Sequence, residues 1–233
     1  MGVVMLSYIR EFLRGDIGFI ELGIILFSMA FVIFCAAPLH EFAHAFAADK
    51  LGDDTPRLRG RLTVNPMAHI DPMGALMIFV CGFGYAKPVP VRIRKFKNAK
   101  LGMAVVAFAG PLCNLLQALI ALFICNLVSA LGFGDSRISA YIILFFSFAA
   151  TINVGLAVFN LLPIPPLDGS RVASVIVPDK YYFKIMQYER YITIVVFILL
   201  FTGILSGPLN LLTDYVFFGL NYVASLPFRL ILG

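Results

Sequence analysis

Long apolar stretches separated by charged segments form the main pattern along this chain. The stretches cover residues 17–39, 101–134, 138–167 and 191–213, and Glu21 is the one charged residue within them. Each is longer than the roughly 20 residues that a helix needs to cross the hydrocarbon core of a bilayer. The pattern predicts a mainly α fold, a polytopic membrane helical bundle with about four to six membrane segments.

The segment between the first two stretches, residues 50–100, has a different pattern. Polar and apolar residues alternate over residues 57–64, which predicts a small β element between the first and second long helices. Residues 73–86 are apolar but short and contain three glycines, so they indicate a re-entrant or short helix. No repeat or linker divides the chain, and residues 1–233 are interpreted as a single intramembrane domain.

The composition agrees with a membrane protein. Hydrophobic residues make up 61% of the chain, charged residues 13%, and the mean hydropathy is +0.93. These values exclude an ordinary soluble domain. The net charge of +5 does not indicate a nucleic-acid partner, because no basic stretch is interleaved with aromatic residues.

The sequence His40-Glu41-Phe42-Ala43-His44 ends the first apolar stretch. Two histidines four residues apart on a helix can reach one metal ion, and Glu41 then stands beside it, as in zinc hydrolases. Polar residues at membrane depth are functional by default. The alternative is a pair of buried packing histidines, which would cost several kcal/mol in unsatisfied polar groups.

A catalytic zinc takes three protein ligands, and Asp168 is the best candidate for the third. It follows three prolines that end a helix near Leu162, and broken backbone at membrane depth is tolerated where it lines a wet cavity. Alternatively, Asp168 caps the next helix. The competing carboxylates are expected on solvated backbone or in a proline-rich loop: Asp49, Asp53, Asp54 and Asp71.

These motifs, together with Gly110-Pro111-Leu112-Cys113-Asn114 in a central apolar helix, resemble the site-2 protease family of intramembrane zinc metalloproteases. Residues 65–72 and 83–91 resemble its compact prokaryotic branch, which lacks the inserted peptide-binding domain of larger members. The resemblance implies one Zn²⁺ per chain held by His40, His44 and Asp168, with Glu41 as the catalytic carboxylate. It also implies a transmembrane protein as substrate.

Two further residues are candidates for substrate binding. Asn114 would bond the substrate backbone near the metal, although Gly110 and Asn114 also fit a small-residue pattern that packs membrane helices. His69 would support the site or contact substrate. Its neighbourhood of Asn65, Pro66, Asp71 and Pro72 is also ordinary turn chemistry, in which His69 makes a plain hydrogen bond.

Basic residues predict the orientation. Fifteen of the 18 Lys and Arg residues lie in residues 50–100, residues 168–190 and the C-terminal tail, which share one side if the first helix runs from outside to inside. Under the positive-inside rule that side is the cytoplasm. We therefore expect a multi-pass protein of the prokaryotic inner membrane with its active site toward the cytoplasm. The sequence does not predict the oligomeric state.

The function predicted from these features is an intramembrane zinc endopeptidase that hydrolyses peptide bonds within or near transmembrane segments. Its role would be regulated intramembrane proteolysis or clearance of signal-peptide remnants, with residues 59–64 as an edge strand for the unwound substrate. The alternative is a metal-binding membrane protein without peptidase activity, such as a zinc transporter or an inactive scaffold. Glu41 beside the first ligand favours hydrolysis.

Overall fold

The computed structural model describes residues 4–74, 76, 87–131 and 136–232. Most of these residues are helical. In chain order the helices are α1 (Val4–Arg14), α2 (Phe19–Phe31), α3 (Ala37–Lys50), α4 (Thr55–Leu58), α5 (Pro66–His69), α6 (Ala99–Ala130), α7 (Arg137–Asn160), α8 (Asp168–Ala173), α9 (Asp179–Gln187), α10 (Glu189–Phe201) and α11 (Ser206–Leu232). A π-helical segment, Val32–Ala36, joins α2 to α3. Most of the segment 73–86 lies outside the described residues.

Three helices of the described chain are long and apolar enough to cross a membrane. They are Phe19–Lys50, Ala99–Ala130 and Arg137–Asn160. Helix α6 carries an exposed apolar stripe at steps of three and four residues, consisting of Leu101, Val105, Phe108, Leu112, Leu116, Ile120, Phe123 and Leu127. Such a stripe on the outside of a bundle suits contact with lipid and not with water. The prediction of membrane-spanning helices is confirmed.

The predicted β element is wrong for the described residues, where no strand is found between α3 and α6. Pro56 lies in the first turn of α4, and Gly60, at φ +68°, turns the chain directly afterwards. The Arg61 side chain then folds inward and donates hydrogen bonds to the carbonyls of Ala68 and Lys87. The alternation in residues 57–64 therefore reflects a helix and a folded loop, and not the two faces of a strand.

The predicted number of membrane segments, four to six, is also larger than the three spans found among the described residues. The fourth apolar stretch, residues 191–213, is divided by a turn at which Gly203 has φ +75°. Helix α10 has 13 residues and is about 20 Å long, too short to cross a bilayer core. Helix α11 has 27 residues but carries Asp214, Asn221 and other polar residues.

Helix α6 is the centre of the bundle, in contact with α3, α7, α8 and α11. The core between α6, α7 and α11 consists mainly of small residues: Ala118, Ala121, Leu122, Ala150, Val154 and Ala224. Small side chains let membrane helices approach closely, which gives the bundle its packing energy in lipid. A second cluster, in which Ala48 packs with Met103 and Val106, holds α6 against α3, the helix that carries both histidines.

The π-helical segment solves a problem posed by Pro38. In a regular α-helix, a proline ring collides with the carbonyl four residues earlier and breaks the helix. Here the Ala37 N–H donates to the carbonyl of Val32, five residues earlier, and the wider turn admits Pro38 near the start of α3. The helix therefore continues through Pro38 to His40 and His44.

Candidate metal centre

Three side chains from α3 and α8 converge at one point. His40 Nε2 lies 3.0 Å from His44 Nε2, and Asp168 Oδ2 lies 3.5 Å from His40 Nε2 and 3.3 Å from His44 Nε2. His40 and His44 are both buried, with 9% of each side chain exposed. Among the described residues these three form the one group of histidine, cysteine and carboxylate side chains close enough together to hold a metal ion.

The spacing of the donor atoms fits a small tetrahedral ion. Tetrahedral bonds of 2.0–2.1 Å place ligand atoms about 3.3 Å apart, which is the value that the three observed distances bracket. Two nitrogens and one carboxylate oxygen are ligands that zinc accepts. Three protein ligands leave one position for water or substrate, the arrangement of catalytic and not of structural sites.

The backbone of α6 selects the tautomer of His44. The Nδ1–H of His44 donates to the carbonyl oxygen of Val106 at 2.7 Å. A carbonyl only accepts, so Nδ1 carries the proton and Nε2 presents its lone pair to the centre. A partner of this kind on the far ring nitrogen orients a metal ligand and raises its basicity. For His40 Nδ1 no hydrogen-bond partner is found in the described part of the chain.

Asp168 is held by the turn that follows α7. The residue at the N-cap of α8 is Leu167, and no side chain caps this helix, so the Asp168 carboxylate points to the histidines and is not a cap. Gly169 lies directly on the turn, where an added Cβ would collide with the carbonyl oxygens of Leu161 and Leu162. Gly169 thus lets the chain approach the Leu161 and Leu162 carbonyls closely, and this approach positions the candidate ligand Asp168.

Gly110 keeps the centre open. A Cβ at this residue would lie 2.6 Å from His40 Nε2 and closer still to His44 Nε2. That space is where an ion bound to both nitrogens would lie. The glycine in the central apolar helix is therefore required by the donor atoms on α3 and not only by helix packing.

The centre forms part of a cavity of about 540 Å³. Glu41 lines this cavity, as does Asn114, which comes from α6. Another wall is formed by Pro88, Val89 and Val91. In the segment Lys87-Pro88-Val89-Pro90-Val91 each proline fixes its own backbone and restricts the residue before it, so the segment is extended.

A polar contact orients the Asn114 side chain. Gln117, one turn later on α6, donates from Nε2 to Asn114 Oδ1 at 3.5 Å and to the Ala36 carbonyl at 3.3 Å. The Asn114 amide nitrogen is buried and has no partner among the described residues. Asn114 therefore offers an unused donor at the cavity. Gln117 was not predicted, although a polar residue in a mainly apolar helix is a usable signal.

The structure does not bring His69 to the cavity. Its ring is fully buried, and Nε2–H donates to the Thr63 carbonyl at 2.7 Å. His69 is absent from the residues that line the cavity. This geometry makes it a support of the loop between α4 and α6, and its role in substrate binding stays a prediction.

Asp53 was expected on solvated backbone but is fully buried next to the end of α3. It accepts hydrogen bonds from the N–H and hydroxyl of Thr55 and from the Arg92 N–H at 2.6 Å. Burial alone would raise the pKa of Asp53, but these hydrogen bonds hold it below its ordinary value. Asp53 anchors one end of the extended wall, and the Lys87 N–H, which donates to the His69 carbonyl, anchors the other.

The sequence of this chain is similar to those of known proteins. Residues 27–206 match the sequence model of peptidase family M50. YwhC of Bacillus subtilis, named as a zinc metalloprotease, is 44% identical over 164 residues, which are 70% of this chain and 74% of YwhC. Rip2 of Mycobacterium tuberculosis, also named as one, is 34% identical over 135 residues, which are 56% of this chain and 50% of Rip2. No solved structure matches the chain.

The family match covers well over half of the chain and includes His40, Glu41, His44, Asn114 and Asp168. The resemblance drawn from the motifs is thereby confirmed. The three apolar helices and the family match together identify the class of protein. The chain is an integral membrane protein that belongs to peptidase family M50, the site-2 protease family.

Proposed function

We propose that this protein is an intramembrane zinc endopeptidase that hydrolyses peptide bonds within or near transmembrane segments of other proteins. The convergence of His40, His44 and Asp168 beside Glu41 carries the proposal. The site is proposed to lie at membrane depth because α3 is part of an apolar helix, Phe19–Lys50, that is long enough to cross the bilayer. The names of YwhC and Rip2 as zinc metalloproteases support the metal and the reaction.

In this proposal His40, His44 and Asp168 hold the zinc ion. When bound, zinc polarises the scissile carbonyl and lowers the pKa of water to near 7. Glu41 accepts the proton of the attacking water and later donates it to the leaving amine nitrogen. The Val106 carbonyl keeps His44 in the tautomer that ligation requires. Gly110 leaves room for the ion between the two histidine nitrogens.

The substrate must be unwound, because each carbonyl in a helix accepts a bond from the amide four residues later. Unwound backbone groups then need partners that lipid cannot provide. The amide of Asn114 is one such donor. The extended wall is a second source, at Val89 and Val91, since Pro88 and Pro90 lack N–H groups. In this proposal the extended wall replaces residues 59–64, which the sequence pattern predicted to be the edge strand that pairs with the substrate.

The orientation of the site is a separate part of the proposal. It rests on the fifteen basic residues in segments 50–100, 168–190 and the C-terminal tail, from which the positive-inside rule predicts that the ligand end of α3 lies toward the cytoplasm of a prokaryotic cell. Single cysteines at Asn98 and Arg137, both exposed, test it in a chain without native cysteines. An impermeant reagent added outside cells should label position 137 and not 98. The reverse pattern would overturn this orientation.

Metal removal separates the peptidase from a zinc carrier. We expect purified protein in liposomes with a transmembrane substrate to stop cleaving after chelation and to recover when one equivalent of zinc is returned. Zinc movement across the liposome without any cleavage would favour a transporter. A zinc-replete protein that neither cleaves nor transports would favour a scaffold.

A further inference from the structure

Arg171 brings a positive charge into the cavity beside the candidate metal centre. It lies one helical turn after Asp168 on α8, and its side chain lines the cavity together with Glu41 and Asn114. Among the described residues, the one polar contact of its side chain is with the Met103 sulfur, at 3.9 Å from Nη1. No carboxylate of the described chain lies within 4 Å of it.

This environment leaves the guanidinium group poorly satisfied. A thioether sulfur is a weak acceptor, whereas the guanidinium group has five N–H donors in a fork that matches a carboxylate. The nearby Asp168 is directed to His40 and His44 and does not pair with Arg171. With a divalent ion bound, the negative charges of Glu41 and Asp168 would balance the two positive charges of the ion. The guanidinium group of Arg171 would then make the net charge of the cavity positive.

We propose that Arg171 binds a carboxylate of the substrate peptide. The inference rests on the proposed function and defines its substrate further. Residues one turn apart on a helix have Cβ atoms about 5–6 Å apart, and an extended peptide advances about 3.3 Å per residue. The carboxylate therefore belongs within about two or three residues of the scissile bond. It is either the side chain of Asp or Glu or the C-terminal carboxylate of a short peptide.

Binding to the Glu41→Gln protein tests this without turnover. Four fluorescent peptides share one apolar sequence, with Glu or Gln two residues from the expected scissile bond and with an acid or amide C-terminus. A charge-assisted hydrogen bond contributes about 1.5–3 kcal/mol, so the preferred acid should bind about tenfold or more tightly than its amide counterpart. The Glu–Gln pair and the acid–amide pair show which carboxylate is used.

Variants of Arg171 test whether the tighter binding of the acidic peptide depends on this residue. With Arg171→Gln added, the tight peptide should weaken to the level of its neutral partner, while the neutral peptide changes less than twofold. Arg171→Lys should restore part of the difference, because it keeps the charge and loses the fork. The matched control is Arg94→Gln, since Arg94 is exposed and does not line the cavity. It should change neither affinity.

Two results would overturn the proposal. One is equal binding of all four peptides to the protein with Arg171 intact. The other is equal weakening of charged and neutral peptides by Arg171→Gln, with unchanged zinc content and thermal stability. Charge-dependent binding without cleavage by the protein that retains Glu41 would instead contradict the proposed peptidase and leave the carboxylate site standing.

Discussion

Gly110 on α6 faces His44 on α3 so closely that no side chain fits between them. A Cβ on Gly110 would come within 2.5 Å of His44 Cε1 and would meet His40 Nε2 at 2.6 Å. Real Cβ atoms essentially never approach other atoms so closely. The two helices can therefore pack in this way, with the nitrogens free to bind an ion, only while residue 110 is glycine.

Gly110→Ala should lower zinc content and cleavage together, because the methyl group takes the space beside both donor nitrogens. Zinc per chain, measured by mass spectrometry of the metal, should fall well below that of the unmodified protein. Gly219→Ala is the matched control, since an added Cβ there meets nothing within 4 Å. Alanine in a helix is about 0.5–1 kcal/mol more favourable than glycine, so this variant should be unimpaired. Full zinc content in Gly110→Ala would contradict the conclusion that the ion lies in the space beside residue 110.

Asp168→Ala should lower zinc affinity as well as activity, because it removes one of the three proposed ligands and the one oxygen donor among them. Competition with a chelator of known affinity measures the loss. Asp71→Asn provides a comparison, since Asp71 Oδ1 accepts from the Met73 and Gly74 N–H groups, a role that asparagine keeps. An Asp168→Ala protein with unchanged zinc affinity would direct the search to another carboxylate.

Asn114→Ala should slow cleavage without changing zinc content, because it removes a donor to the unwound substrate. Truncation of one hydrogen bond that leaves a substrate carbonyl unsatisfied costs about 1–3 kcal/mol, or roughly fivefold to more than a hundredfold in kcat/KM. Gln117→Leu should act in the same direction and more weakly, since it frees the amide that Gln117 orients. If both variants turn over substrate as the unmodified protein does, the unwound chain is held elsewhere.

Asp53 should stabilise the fold in a pH-dependent manner. Its pKa in the folded protein lies below the ordinary value of 3.8, so its contribution is present above that value and is lost as the pH falls through the folded pKa. Asparagine keeps one acceptor oxygen, so Asp53→Asn can accept from Thr55 but turns its amide NH₂ group toward the Arg92 N–H, which should cost about 1–3 kcal/mol at pH 7.

Thermal unfolding of the two proteins between pH 7 and pH 3 measures this contribution. The difference in midpoint should be constant down to about pH 4 and should narrow below it, because protonation removes the charge that the unmodified protein uses. Asp54→Asn is the control, as Asp54 is exposed and pairs with Lys95 at the surface. A difference that stays constant to pH 3 would mean that the ionised form of Asp53 is not what stabilises the loop.

The parts of the fold that depend on local pattern were predictable. Three of the four long apolar stretches lie in helices that can span the membrane, as their length predicted, and the four-residue spacing of His40 and His44 places both imidazoles on one helical face. The position of Asp168 beside the cavity was predictable because prolines break the preceding helix at membrane depth, and its role as a metal ligand stays a prediction. The structure brings its carboxylate to within 3.5 Å of both histidines.

The features that depend on distant contacts were not predictable. Arg61 looks like one of three alternating arginines, and only its bond to the Lys87 carbonyl, 26 residues away, shows that the segment is a folded loop. Asp53 is buried because Arg92 donates to it across 39 residues. The fourth apolar stretch was misjudged because apolar composition does not reveal the turn at Gly203. Hydrophobic periodicity contains no information on such pairings.

Comparison of the unmodified protein with Glu41→Gln tests whether this protein cleaves membrane segments with Glu41 as the group that moves protons. Both are loaded with zinc, placed in liposomes with the same transmembrane substrate, and the products are mapped by mass spectrometry. We expect equal zinc content, a cut within or next to the substrate's membrane segment for the unmodified protein, and a loss of about 10²–10⁴-fold in rate for the variant, because the proposed role of Glu41 is to move protons and not to bind the ion. Equal cleavage by both proteins would contradict it.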